Sequence, residues 1–595
     1  MKPSRWLYPL LLVLAGIAAY SNSFRIPFLF DDFYGIVNNP NLHYGVPLWK
    51  LLAGSIRPVV EISFAINYRL GELNVWGYHA VNLAIHLLAA WTLFELVRRT
   101  LRLRGGPAEA AWTDFLSFCA ALIWMLHPLQ TQAVVYLSQR AEILMGLFYL
   151  LTLYSLLRSI DTPKHSGSWQ TAAVLSCLLG TWTKAGIVTA PIAALVYDRV
   201  FLASSTREIF RTRRWFYGAL FGTWISAAAL NISRETVAQT FAQEGRVVPL
   251  IPYLLTQLEV IPHYLKLAFW PKPLVFDYSD WPLILHFSGK LLPAAFGLAA
   301  LAAATLIALS RRPALGFLGA WFFLTLLPNT VFPLPDSAFE FRMVLPLAGL
   351  AVLLVFSLNS VLQRRSKTAL VVLLLAIAVG LAAGTFARNR DYRNAVSLWS
   401  DTVAKRPNNG RAWSNLGAML VLKNKPEEAS VALRRAIALD PKNGQATFNL
   451  GQMSMGRGEW PEALALFDQA VQAKPNLAPA HQSRGIALES LGRQDEAFAA
   501  YTEAVRIAPE LPKAHLRLGV LLGQRGEWKA AALEFGKSIQ AKPDSAEAYR
   551  HLGEAFTHTG LLEGAIFAYS QALWLDPEDE ESRAMLKQLK EENSC

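Results

Sequence analysis

Residues 410–443 read GRAWSNLGAMLVLKNKPEEASVALRRAIALDPKN and residues 444–477 read GQATFNLGQMSMGRGEWPEALALFDQAVQAKPNL, so Gly417 returns as Gly451, Ala429 as Ala463 and Pro441 as Pro475. The step is 34 residues each time, and it persists. Prolines stand at 407, 441, 475, 509, 543 and 577, glycines at 417, 451, 485, 519 and 553, and alanines at 429, 463, 497, 531 and 565. Three residue types locked to one period describe a unit of two helices that stacks on copies of itself. The small residues let paired helices approach closely, and Pro ends each second helix. This region is also charge-balanced, with 24 Lys and Arg against 26 Asp and Glu from Asp391 onward.

The period is that of the tetratricopeptide repeat (TPR). Five full repeats run from Gly410 to Asp579, a half repeat precedes them from Tyr392, and a polar helix after Glu580 closes the array, giving a domain over 391–595. Such an α-solenoid offers a concave groove suited to an extended chain. Asn415, Asn449, Arg484, Arg517 and Arg550 recur on or near the first helix of each repeat and are candidate contacts to a protein acceptor. Any one of them alone reads as an ordinary solvated residue.

Upstream the composition changes. The whole chain of 595 residues is 53% hydrophobic with a mean hydropathy of +0.28, above the soluble range. The apolar excess lies in residues 1–390, where runs of roughly 17 to 25 residues alternate with short polar links, the length that crosses a bilayer. The fold class expected is all-α: a polytopic helical bundle over 1–390 with about 11 spans, followed by the TPR solenoid. Spans are expected to begin near Trp6, Tyr78, Asp114, Arg140, Trp169, Gly186, Trp215, Ser288, Leu315, Met343 and Thr368. Pro252, Glu259, Pro262, His263 and Lys266 interrupt 251–270, which is expected not to cross but to lie along or partway into the membrane.

The same 390 residues hold 32 basic against 18 acidic side chains, clustered at Lys2 and Arg5, Arg98 to Arg104, Arg158 and Lys164, Arg207 to Arg214, Arg311 and Arg312, and Arg364 to Lys367. That is a positive-inside pattern and not a nucleic-acid surface. It places the N-terminus in the cytoplasm and the repeats on the periplasmic or lumenal side. Met1 to Ser23 reads as an uncleaved first span in preference to a signal peptide. Cys119, Cys177 and Cys595 offer neither a disulfide framework nor a zinc site, and no phosphate loop or dinucleotide glycine motif points to a soluble cofactor.

Chemistry concentrates where this topology puts the outer ends of the spans. Phe30-Asp31-Asp32-Phe33 follows the first span, and adjacent carboxylates at a membrane surface seldom lack a partner. A helix cap is the plain alternative. Arg57-Pro58, His79, Asn82 and His86, His127-Pro128 with Gln130, Arg140 and Glu142, Lys184, and Glu340 with Arg342 collect on or near that side. For Asn82 and His86, helix-to-helix hydrogen bonds are the better reading. Transfer of a sugar from a lipid phosphate to a hydroxyl needs a carboxylate to take the proton and cations to hold the departing phosphate. Asp31 or Asp32 can be the base and Arg57, Arg140, Lys184 or Arg342 the phosphate partners. No metal is assigned, although an Asp-Asp pair is able to hold a divalent ion.

The order Phe-Asp-Asp, Ile36, Asn39-Pro40, Arg57-Pro58, His79-x-x-Asn82-x-x-x-His86, His127-Pro128-x-Gln130-Thr131 and Arg140-Ala141-Glu142, followed by TPRs, resembles the transmembrane and TPR-containing O-mannosyltransferase family and its bacterial relatives, of the C-type glycosyltransferase (GT-C) class. The resemblance implies a polyprenyl-phosphate sugar donor, an active site at the acidic motif of the first outer loop with Asp31 as base, and a protein acceptor. Two stretches depart from it: Lys184-Ala185 stands where Lys-Glu is common, and Glu340-Phe341-Arg342-Met343-Val344-Leu345-Pro346 keeps only Glu, Arg and Leu-Pro of a related motif. Two other classes of function are compatible with the chain: a non-catalytic TPR membrane scaffold for envelope or secretion assembly, and a polysaccharide polymerase or ligase.

Overall fold

The computed structural model describes residues 6–43, 46–103, 110–243 and 248–592, and among them it contains helices and no strand. Lys2, Arg5, Arg104 and Cys595 lie outside the described residues. The chain divides into two compact units, Met1–Pro407 and Asn408–Cys595.

In the first unit a helix starts at or near each expected span start. Seven are long and apolar enough to cross a membrane, eight if the bent pair Ala110–Leu126 and Pro128–Val135 is one span, and Leu7–Tyr20 is a shorter apolar helix. The helix from Arg140 to Asp161 belongs to the most buried span. Leu292–Arg311 and Lys367–Asn389 expose most of their apolar surface, as helices facing hydrocarbon do. Val75–Arg102 begins on Asn74, whose side chain accepts from the Trp76 amide at 3.1 Å, and its 28 residues rise about 42 Å.

The bent pair turns by 51° where His127 meets Pro128, whose ring removes a backbone donor. In hydrocarbon the freed carbonyls need partners. His86 Nε2 bonds the Met125 carbonyl at 3.0 Å, Thr385 Oγ1 donates to Leu126 O at 2.7 Å, and Asn82 Nδ2 donates to Val134 O at 3.1 Å. Those polar side chains are therefore supports for a broken helix.

Described residues of the basic clusters gather at one end of the bundle. Arg99 pairs with Asp161 at 2.6 Å, Arg102 with Asp114 at 2.5 Å, and Trp112 Nε1 donates to Asn359 at 3.0 Å, which gathers four helix ends. The helix Leu250–Phe269 stays at the opposite end. Tyr253 donates to Asn329 O at 2.5 Å, Gln257 to Ser337 O at 3.1 Å, Tyr264 accepts from Phe339 N at 2.8 Å, and Ala268 O bonds His127 at 3.1 Å. Over its length of about 30 Å these hydrogen-bond partners are residues flanking one set of helix ends.

The boundary of the first unit lies beyond 390. Ala395–Lys405, the second helix of the half repeat, packs Trp399 edge-on against Phe30 and Phe276, at 5.4 and 5.3 Å between ring centroids. Lys405 Nζ donates to Leu274 O at 2.9 Å and Arg406 pairs with Asp280 at 2.5 Å. Buried aromatic surface and these ion pairs tie the half repeat to the bundle, so the compact units part at Pro407 and not at the composition change.

The second unit holds five helix pairs, from Gly410–Leu422 with Pro426–Leu439 to Ala546–His558 with Leu562–Leu575, closed by Glu580–Glu592. The repeating glycine has a steric cause. A Cβ on Gly451, Gly485 or Gly519 would come within 2.5 to 2.7 Å of Phe467, Tyr501 or Phe535, the rings of the paired helix.

Candidate functional site

The acidic pair occupies the turn after the first helix, and the structure separates its members. Phe30, just before it, has φ +44°, a left-handed conformation that a bulky residue holds only where its surroundings enforce it. Its ring is clamped by Phe276 and Trp399. Asp32 is buried. Its Oδ2 accepts from the Leu29 amide at 2.9 Å, and its Oδ1 accepts from the Ser138 amide at 2.7 Å and the Ser138 hydroxyl at 2.5 Å. Burial nonetheless pushes its carboxyl up to about 7, against those three hydrogen bonds. Asp31 is exposed, its amide donates to the Tyr136 hydroxyl at 3.0 Å, and Tyr136 also lies within hydrogen-bonding reach of its carboxylate.

Around Asp31 the cations gather. Arg57 has accessible surface although protein atoms surround it closely, the combination expected of a group lining a recess. Burial lowers its pKa, while Glu142, Glu61 and Asp31 act in the opposite sense. Glu142, buried at the start of Arg140–Asp161, pairs with Lys184 at 2.6 Å, and Lys184 stands 4.7 Å above the Phe341 ring. Burial lowers the Lys184 pKa against the pull of Glu142, and both Arg57 and Arg342 are near enough to push it further down. Arg342 donates to the carbonyls of Ser337 at 2.7 Å and Asp336 at 2.8 Å. Five sequence candidates, Asp31, Arg57, Glu142, Lys184 and Arg342, are thus linked electrostatically from one to the next.

The other candidates face elsewhere. Arg140, expected as a phosphate partner, is fully buried. It donates to Asn82 at 2.6 Å, Asn67 at 2.7 Å, Ser63 at 3.2 Å and the Tyr78 carbonyl at 3.1 Å, with its guanidinium 4.3 Å from the Phe64 ring. Four of its five N–H groups are engaged, so it braces helices and has little left for a phosphate. His79 bonds the Ile26 carbonyl at 2.8 Å and His127 the Ala268 carbonyl, holding the first loop and the end of Leu250–Phe269 in place. Glu340 turns away: it accepts from the Val275 amide and from Tyr278 at 2.9 Å, and lies 4.0 Å from Arg388. Among the described residues no group of three or more His, Cys, Asp or Glu is arranged to hold a metal ion.

Ser138 and Tyr136, which orient the acidic pair, and Phe341, which faces Lys184, were absent from the sequence candidates. Their signal is faint: a Tyr-x-Ser-x-Arg run two residues upstream of Glu142.

In the second unit Arg484 pairs with Asp468 at 2.5 Å, Arg517 with Glu489 at 3.6 Å, and Arg550 with Glu581 and with Asp579 at 3.7 Å. The two asparagines differ from them. Asn415 and Asn449 each bury an Nδ2 that has no hydrogen-bond partner, at equivalent places 34 residues apart.

A family model described as tetratricopeptide repeat matches residues 382–430, 423–478 and 516–580, and a second of the same description matches 478–511. Among curated proteins, the protein O-mannosyl-transferase F38B6.6 of Caenorhabditis elegans is 26% identical over 72% of this chain and 62% of its own length, and the protein O-mannosyl-transferase Tmtc3 of Drosophila melanogaster is 26% identical over 74% and 56%. The mouse protein O-mannosyl-transferase TMTC1 is 32% identical over 32% of this chain and 21% of its own. The chain therefore spans less than two thirds of the relatives it matches. Among solved structures, the TPR protein YrrB covers 32% of this chain at 19% identity with a TM-score of 0.30. Over most of its length the chain is homologous to proteins named protein O-mannosyl-transferases, and it ends in a tetratricopeptide-repeat array.

Proposed function

We propose that the protein is an integral-membrane glycosyltransferase that moves a hexose, mannose by the names of its relatives, from a polyprenyl phosphate to a protein hydroxyl. The supporting observation is the chain of charges from Asp31 through Arg57, Glu142 and Lys184 to Arg342. Asp31 takes the proton of the acceptor hydroxyl as its oxygen forms the new bond to the anomeric carbon. The bond from that carbon to the phosphate oxygen breaks, the electron pair leaves with the phosphate, and Arg57 and Lys184 carry the charge that develops there. A single displacement inverts the anomeric centre. Asp32 positions the loop and Glu142 positions Lys184. The concave face of the repeats would receive the acceptor, and Asn415 and Asn449, whose Nδ2 atoms are buried, would reach its carbonyls only after their side chains rotate outward.

The basic clusters put their end of the bundle in the cytoplasm and the acidic pair, with the repeats, on the periplasmic or lumenal side. In a purified assay with polyprenyl-phosphate mannose and a Ser/Thr peptide, Asp31→Asn is expected to lose about 10²-fold or more in transfer, the scale of a lost general base. Full activity of that variant would overturn the assignment, and would instead favour the non-catalytic scaffold.

A further inference from the structure

The charge chain leaves one large feature of the first unit unused. A cleft of about 430 Å³, within the roughly 300–1,000 Å³ that enclose a bound small molecule, opens at the basic end of the bundle, opposite the acidic pair. Leu96, Leu150, Phe317, Trp321, Val352 and Leu353 belong to its apolar wall. Its polar rim is Arg312, Ser357 and Ser360, which stand at the turn between Leu292–Arg311 and Pro313–Val331 and in the last turns of Val344–Leu362. From Arg312 to Trp321 is nine residues of helix, about 13 Å along the axis. The cleft is thus a greasy shaft with a cation at its mouth.

Arg312, like the equally exposed Arg311 beside it, differs from the arginines at the end of Val75–Arg102, and of the two it is the one that lines the cleft. Arg98 and Arg99 are held by Glu95, Arg99 also by Asp161, and Arg102 by Asp114. The Arg312 side chain is exposed and has no ion-pair or hydrogen-bond partner among the described residues, while its amide and carbonyl are engaged in the helix turn with Ala308, Leu315 and Gly316. A free guanidinium over an apolar shaft matches a phosphate joined to a hydrocarbon chain, and basic pockets between spans take anionic lipid headgroups.

We infer that this cleft is a binding site for an anionic glycerophospholipid, with its phosphate on Arg312 and one acyl chain along Leu353 toward Trp321. The inference is independent of the transferase reading, since none of these residues belongs to the charge chain around Asp31.

The test uses the full-length protein in nanodiscs doped with a phosphatidylglycerol that carries a photoreactive group in one acyl chain, with cross-links mapped by peptide mass spectrometry. Cross-links are expected on 315–321 and 348–357. Val352→Trp, which fills the shaft, or Leu315→Trp if that variant fails to fold, should abolish them. Arg312→Gln should lower the yield about fivefold, in line with one cation's contribution at a membrane surface. The matched phosphatidylcholine probe, whose choline cation offsets the phosphate charge, should label more weakly and lose less on Arg312→Gln. Equal labelling by the two probes, unchanged labelling in the filled variant, or displacement by polyprenyl phosphate but not by unlabelled phosphatidylglycerol would overturn the proposal.

Discussion

Asp31 and Asp32 are adjacent in sequence, yet Asp31 is exposed while Asp32 is buried with both carboxylate oxygens accepting hydrogen bonds. Its loss should act mainly on stability, and through a recognisable pH signature. Because burial raises its folded pKa from 3.8 to about 7, the unfolded chain releases this proton first as pH rises. The stability linked to the protonated form is complete below about pH 4, declines between pH 4 and 7, and is gone above that, a swing on the order of a few kcal/mol. Asp32→Asn should flatten the dependence of Tm on pH over that window, measured by thermal shift in detergent. An Asp31→Asn protein should keep the wild-type dependence. The sequence shows the pair, but which member is buried depends on Leu29 and on Ser138, more than a hundred residues away. The bracing position of Arg140 is illegible for the same reason: Ser63, Asn67, Asn82 and the Tyr78 carbonyl, which engage it, come from two other helices.

Elements with a strict period were the most legible. The 34-residue step carries both the glycine that admits a ring from the paired helix and, at Gly458, Gly492, Gly526 and Gly560, a turn residue with φ of 75 to 78°. Gly519→Val should therefore drive the buried Phe535 ring out of place and destabilise its repeat by about 1–3 kcal/mol, visible as faster proteolysis between 512 and 541 without any change at the bundle. Irregular elements were less legible, because hydropathy alone does not distinguish a helix that crosses from one that lies flat. The hydrogen-bond partners of Leu250–Phe269 flank the acidic-pair end, which favours a helix that does not cross. Cysteines placed at Leu250 and at Trp270 should both react with an impermeant reagent from the side that labels the repeats. Labelling from opposite sides would make this helix a span and reverse the orientation of everything before it.

For the whole molecule, the proposed division between chemistry in the bundle and acceptor selection by the repeats would fall where the compact units part. A cut after Arg390, at the composition change, would remove Trp399 from between Phe30 and Phe276 and remove Lys405 and Arg406 from Leu274 and Asp280. It would thereby loosen the strained turn that presents Asp31, and both donor hydrolysis and transfer should fail. A cut after Pro407 leaves those contacts intact and discards the five repeats. That shorter protein should keep its thermal stability and a slow hydrolysis of polyprenyl-phosphate mannose, while transfer to a folded protein acceptor drops by at least tenfold, since recognition by the repeats is lost. Short Ser/Thr peptides at high concentration should be used by both the full chain and the Pro407 truncation. If the truncation glycosylates its natural protein acceptor at the full rate, the repeats do not select acceptors; if it also loses donor hydrolysis, the charge chain around Asp31 does not suffice for the chemistry.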